Sequence, residues 1–454
     1  MFQNPTIIVA GALLLATVAC GDQPDANALK SYYGRPSDAS TLYQKAFELL
    51  EPIPRSQTRT VREVLDNGWG FRNADLEAHI TKDRGIVPIV LQAAEIDRCD
   101  FLYGRKISSE LRLPHLERMR RLSQYLVLKA IWYEDQEEFS RAVNCFAANR
   151  ILANHIAQDA VMMAKMMSLA VQKYGDRGMA RVVNYPQRAR HDLLKRLILI
   201  NTSRVPLHEV MPTELAFVRN EASGMFDEKF FERRFAGTIG EEDIDVLRRH
   251  RLLSDHWVSV WYIHLTTLVY TEVIDATRMP TLTWTMSACM DMMDSYGLDP
   301  EGHEKVRVLL EKIIRASGVL LTELPVDDSV VALYTDGLAK EFKVMLGTVM
   351  QTVQDIMISD CGSRLEADAV IYRLALEIYR QSTGDYPTRF DDLVPELLPT
   401  LPIDPFDGQP LRYESAGPGY RFYSIGPDLI DSRGGKARDM RGGSGLGDIV
   451  YLSP

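Results

Sequence analysis

Four prolines constrain this chain more than any other residues. Pro395, Pro399, Pro402 and Pro405 punctuate the segment LVPELLPTLPIDPF. Each lacks a backbone donor and restricts its predecessor to extended conformations, so no helix or interior strand can run through them. They separate two segments of different period. Upstream, Val370, Leu374 and Ile378, flanked by Ile371, Ala375 and Tyr379, recur at helical spacing and give one apolar face. Gly384 follows the last periodic turn, where a residue of positive φ ends a helix, and Pro387 prevents resumption. A short second helix is expected over Phe390 to Val394. Downstream, Asp407-Gly408 forms a hairpin-type turn, and Leu411 to Tyr413 and Tyr420 to Ile425 alternate as strands do. A last strand is expected over Asp448 to Leu452. One helix covering a small antiparallel sheet is the economical solution.

The text that carries this pattern has a specific likeness. ALEIYRQSTGDYPT, LPIDPF, YRFYSIGPD and the closing GDI together resemble the globular head of the type II secretion major pseudopilin. They are also similar to C-terminal domains of uncharacterised envelope proteins from planctomycete-type bacteria. The resemblance covers about one fifth of the chain. It implies an α+β domain over residues 363–454 and, as in the family, a calcium ion in the loop before the last strand. Asp428 and Asp448 match the ligand positions, with Asp431 as a third. Calcium takes about six to eight oxygens. Between Gly426 and Asp448, however, Asp428, Asp431, Asp439 and Asp448 are offset by Arg433, Lys436, Arg438 and Arg441. A solvated glycine-rich loop is the alternative to a calcium site. The chain also lacks the family's prepilin cleavage site and long assembly helix directly ahead of the head, which argues against polymerisation into a pilus.

The first residues bear on localisation. Ile7 to Val18 is an apolar run too short to span a bilayer permanently, and it reads as an export signal over residues 1–20. It ends in Thr17-Val18-Ala19-Cys20-Gly21, which resembles the bacterial lipobox and implies lipidation of Cys20. Two departures are Thr17 in place of the usual leucine and the lack of any Lys or Arg ahead of the apolar run. A conventional secreted protein is the alternative. Residues 21–37 are polar with scattered turn formers and read as a tether. If Cys20 carries lipid, Cys99, Cys145, Cys289 and Cys361 remain; an oxidising envelope permits three pairings, and none lies at metal-ligand spacing. Cys145 and Cys289 sit on apolar helical faces, where buried free thiols are the default.

Residues 38–362 read as helical throughout. A helix begins after Asp38 and runs to Leu50, and residues 55–95 are expected to hold two more, parted by the Asn67-Gly68-Trp69-Gly70 turn. The best pattern is Leu113 to Ala153, where Leu126, Ala130, Tyr133, Ala142 and Phe146 fall at the offsets of a tetratricopeptide-type hairpin. Ala130 permits close approach, Tyr133 and Phe146 fill the groove, and Asp135 and Gln136 form the turn. Text on both sides of that turn also resembles the helical region of the same planctomycete-type proteins. Further helices are expected over 158–174, 186–200, 207–226, 241–277, 282–296, 301–321 and 326–359. Glu241 to Thr277 carries the most apolar segment, interrupted by His264 and Glu272, and reads as a buried helix. Asp360-Cys361-Gly362-Ser363 is the expected domain boundary. The fold class is therefore mainly α: a helical, tetratricopeptide-like or solenoid-like body, then the small α+β domain. With 454 residues and 46% hydrophobic content, two such cores can be filled.

Reactive constellations are scarce. His250, His256 and His264 are spaced by six and eight, which does not place them on one helical face, and no HExxH occurs. Met162, Met163, Met166 and Met167, and Met286, Met290, Met292 and Met293, form clusters that could bind Cu(I), but their apolar neighbours favour core packing. No nucleophile elbow, P-loop or dinucleotide fingerprint appears. Glu241-Glu242 and Asp391-Asp392 sit at helix starts, where the macrodipole favours acids. A net charge of −10 argues against nucleic acid. These readings converge on an exported, non-enzymatic adaptor or scaffold, lipid-anchored in the cell envelope and binding other envelope proteins, near a secretion apparatus by analogy of fold. Two alternatives are an enzyme with a site assembled in the helical body and a sensor of calcium or another small ligand.

Overall fold

The computed structural model describes residues 38–70, 74–82, 84–102, 111–225, 274, 278, 328–416, 418–435 and 447–453. The segment read as an export signal over 1–20 with Cys20, that read as a tether over 21–37, Cys289, the histidines 250, 256 and 264, and the methionine cluster 286–293 lie outside those residues. So do the helices expected over 282–296 and 301–321, and nearly all of that over 241–277.

Within them the chain is mainly helical, with one small three-stranded sheet. Helix α1 (Ala39–Leu49) starts at Asp38, whose Oδ1 accepts from the Ser40 amide at 2.9 Å. This satisfies one of the orphan donors at the helix start. Helix α2 (Thr58–Asn67) ends at Gly68, where φ is +84° and the amide donates back to Val64. Two more helices follow before residue 95, α3 (Ala74–Thr81) and α4 (Ile86–Ala94), rather than the single one expected. Gly85 is the reason: its left-handed φ of +68° parts them.

Helices α5 (Pro114–Asp135) and α6 (Phe139–Ala157) form a helical hairpin over the span expected for one, with Asp135 in the last turn of α5 and α6 running four residues beyond Ala153. Leu126, Ala130, Ala142 and Phe146 are buried between and around them. The turn is a Schellman motif: Glu138 donates to Tyr133 at 2.8 Å and Glu137 to Glu134 at 3.0 Å. Its left-handed residue is Glu137, at φ +58°. Helix α7 (Met162–Gly178) packs on both members of the hairpin, and glycine lets it do so. A Cβ at Gly178 would stand 2.5 Å from a Val127 methyl and 3.2 Å from the Phe146 ring. Helices α8 (Gln187–Asn201) and α9 (Leu207–Met225) continue the array.

Helix α10 (Asp328–Thr383) is 56 residues long. Asp360-Cys361-Gly362-Ser363 lies inside it, so the break expected there does not occur. A single interior glycine costs a helix only about 1 kcal/mol, and the polar residues beside it are held by partners described below. The helix packs against α7 and α8, and Tyr372 in its C-terminal part packs on Phe422 of the sheet. It ends as the sequence indicates, at Gly384 (φ +94°), whose amide donates to Arg380. A 3₁₀ turn (Phe390–Leu393) and the proline segment lead to β1 (Arg412–Ala416), β2 (Gly419–Ser424) and β3 (Ile449–Leu452). All pairs are antiparallel in the order β1-β2-β3, with Tyr413 opposite Phe422 and Phe422 opposite Tyr451. Tyr372 of α10 and Phe390 meet Phe422 edge-on, at 6.1 and 5.6 Å. One apolar core runs without interruption from Ala39 to Ile425.

Candidate functional site

The most polar part of the interior lies where α10 meets the helical body. Asp360, Ser363, Arg364 and Asp368 recur at helical spacing on α10, so one stripe of that helix is charged. Asp360 sits between two cations, with Lys165 Nζ at 2.9 Å from one oxygen and Arg364 Nε at 3.3 Å from the other. Lys165, from α7, also donates to the Val205 carbonyl at 2.7 Å. Gln172, two turns further along α7's inward face, donates to the Ser363 carbonyl at 2.8 Å and to its hydroxyl at 3.0 Å. Arg204 and Asn201, at the end of α8, both reach Asp368, at 3.0 and 2.7 Å. Cys361 donates from its thiol to the Pro405 carbonyl at 3.3 Å, tying the same turn of α10 to the proline segment.

Lys165, Gln172, Arg204, Asp360 and Arg364 among them line a cavity of about 250 Å³. Lys165, Arg204, Arg364, Asp360, His208 and Arg278 are its charged or titratable lining, and Leu169, Val205 and Met357 supply apolar wall. Burial opposes the charge on Arg364, but Cys361 and Asp360 beside it raise its pKa above the ordinary arginine value. Ser168, also in the wall, donates its hydroxyl to the Ala153 carbonyl at 2.6 Å. Its proton is therefore committed to the backbone.

Deeper in the body, Arg150 of α6 pairs with Asp176 of α7, with only 2% and 6% of the two side chains exposed. Desolvation pushes the Asp176 carboxyl up from 3.8 to about 6, against the pull of Arg150. Burial lowers the pKa of Arg150 in turn. A second polar cluster fixes α1 to the body. His115 Nε2 lies 2.6 Å from Asp159, its ring stacked on Phe101 at 4.4 Å. The Tyr43 hydroxyl meets His155 Nδ1 at 2.9 Å, and burial lowers the His155 pKa to about 4. Sequence reasoning missed both clusters, because each member is an unremarkable polar residue in its own helix or, for Asp159, in the turn after one.

The residues singled out from sequence fare differently. Asp428 accepts from the Ile430 amide at 3.1 Å, and Asp431 accepts from the Arg433 amide at 2.8 Å and the Tyr423 hydroxyl at 3.3 Å. Asp448 gives one oxygen to the Ser432 amide at 3.2 Å and the other to Gly434 at 2.6 Å. Their oxygens organise the loop itself. Among the described residues, no group of three or more His, Cys, Asp or Glu side chains is placed to hold a metal ion. Cys99, Cys145 and Cys361 are buried free thiols, and desolvation pushes Cys145 up to about 12. Burial also raises the pKa of Cys99, so these two thiols are inert at neutral pH, whereas the Cys361 sulfur has Arg364 Nη2 at 3.1 Å. Met162, Met163 and Met167 pack on the core, and Met166 faces outward. Among the described residues no helix is long and apolar enough to cross a membrane. Lys165, Arg204, Asp360 and Arg364 were not foreseen as a group; the signal was the polar i, i+3, i+4 stripe read as a helix break. No family model, curated protein or solved structure matches the chain.

Proposed function

We propose that this protein is an exported, non-enzymatic scaffold of the cell envelope. A tetratricopeptide-like helical body and a pseudopilin-like head bind other envelope proteins, and a lipid on Cys20 anchors the chain on its N-terminal side. The observation that carries the reading is α10, which runs unbroken from the body into the cover of the sheet, over one continuous core. A body and a head joined in this way keep a fixed separation and orientation, which suits a protein that holds two partners in register. The α5–α6 hairpin, with buried Ala130 and Phe146 at its crossing, supports the repeat-like part of the reading. The pseudopilin likeness and the place near a secretion apparatus rest on the sequence resemblance alone.

The cavity chemistry supports binding over turnover. The wall's hydroxyl donates to backbone, and Lys165 is tied to Asp360, so the described lining presents charges rather than an activated nucleophile. Crosslinking the tagged full-length protein in its own cells tests the scaffold role. The expected result is a stoichiometric protein partner from the envelope fraction, with crosslinks to both body and head. A clean preparation without a partner would overturn it.

A further inference from the structure

We propose that the C-terminal half of α1 and the start of α5 form a cationic surface that lies against the acidic phospholipid headgroups of a membrane. The inference deepens the scaffold reading and rests on its lipid anchor. Arg118, in the first turns of α5, holds its guanidinium 6.0 Å from the Phe47 ring of α1, so the two helices meet at this point. Lys45 on α1 and Arg112 just ahead of α5 are exposed. Among the described residues none of these three cations forms an ion pair. The carboxylates beside them are outnumbered. Glu117 is shared by Arg120 at 2.7 Å and Arg121 at 2.9 Å. Glu51, just past α1, is shared by Lys82 at 3.5 Å and Arg84. Within α1 itself Glu48 is the single acid. Toward the other end of the helix the balance reverses: Asp38 caps α1, and Asp100 pairs with Arg98 at 3.2 Å.

Two further observations select a membrane as the occupant. Leu49, 37% exposed, lies one turn from Lys45 on α1, so an apolar side chain accompanies the charge. Surfaces that rest on bilayers combine the two, with apolar groups entering the headgroup layer and basic groups meeting its phosphates. The second observation is position along the chain. Only residues 21–37 separate the proposed lipid on Cys20 from Asp38, and at about 3.5 Å per residue they reach no further than roughly 60 Å. The first helix after the anchor is therefore held within reach of the bilayer. A chain of net charge −10 is repelled by an acidic bilayer over most of its surface, so one cationic face fixes which way the body points.

The test is co-sedimentation of the full-length Cys20→Ser protein, which cannot carry the lipid, with vesicles of phosphatidylcholine alone and with phosphatidylglycerol added. Any contribution of the apolar run from Ile7 to Val18 is common to both vesicles. Expected is tighter partition onto the acidic vesicles, lost in high salt as the Debye length falls to about 3 Å at 1 M. A basic residue near such a surface contributes about fivefold in partition, so adding Lys45→Gln and Arg112→Gln should weaken acidic-vesicle binding about tenfold or more. Both positions are exposed, so the melting temperature should stay unchanged. Equal binding to the two vesicles, or added substitutions that leave binding as it was, would overturn the proposal. So would a protein partner whose crosslinking those substitutions abolish when no vesicle binding is seen, which would assign the patch to that protein. Mass spectrometry of wild-type protein at Cys20 reads the anchor separately, so absence of the lipid and failure of the patch are distinct results.

Discussion

The Arg150–Asp176 pair makes an asymmetric prediction, because its two members differ in how they escape burial. Asp176 shifts from 3.8 to about 6 on folding. A raised carboxyl pKa contributes stability that is fully present below 3.8 and is lost as pH rises through about 6. Taking wild type from pH 7 to pH 5 therefore recovers on the order of 1 kcal/mol from this group. In Arg150→Met the stranded carboxyl takes up a proton. That costs roughly 4 kcal/mol at pH 7 but only about 2 at pH 5, so the deficit relative to wild type narrows by on the order of 1 kcal/mol on acidification. In Asp176→Asn the stranded group is a guanidinium, which has no neutral form in reach. Its loss is about 3–5 kcal/mol at pH 7, and the deficit widens by on the order of 1 kcal/mol at pH 5, since the variant lacks the carboxyl's gain. Replacing both, as Arg150→Met with Asp176→Leu, should restore most of the stability. Urea unfolding at pH 7, 6 and 5 measures all three. Deficits that move in the same direction, or do not move, would refute the reasoning.

Other substitutions test separate features. Gly178→Ala should cost about 1–3 kcal/mol from overpacking against Val127 and Phe146, despite alanine's better helix propensity; a neutral result in guanidinium unfolding would mean the helices part freely. Glu137→Gly should raise stability by about 0.5–1 kcal/mol by relieving the left-handed conformation at the hairpin turn, and an unchanged melting temperature would argue against that turn. His155 has its pKa lowered to about 4, so its contribution is complete above pH 6.5 and is lost as pH falls toward 4. The deficit of His155→Asn should therefore shrink by roughly 2 kcal/mol between pH 7 and pH 5, and a constant deficit would place the ring in water.

What was legible in the sequence was local. Gly384 and Gly408 have the positive φ their positions require, the prolines keep their segment out of regular structure, and the strands start within a residue of their alternating text, β1 running three residues further than expected. What stayed hidden depends on partners far along the chain. Asp360, Ser363 and Arg364 look like turn formers because polarity in sequence does not say whether it meets water or a lysine from another helix. Asp428, Asp431 and Asp448 accept hydrogen bonds from nearby backbone amides, partners that a pattern of acidic residues does not name. Gly85 was passed over because an isolated glycine in a helical stretch is as compatible with continuation as with a break.

The long helix also sets an order of events. Its inner face closes against α7 and α8 through contacts such as Gln172 with Ser363 and Arg373 with the Ala180 carbonyl, separated by 191 and 193 residues. Bringing such distant partners together closes long loops, so this docking follows local pairings such as the α5–α6 hairpin. Until it does, the Lys165 ammonium lacks its Asp360 partner. The helix that joins the body to the cover of the sheet is thus a late element of folding as well as a structural one.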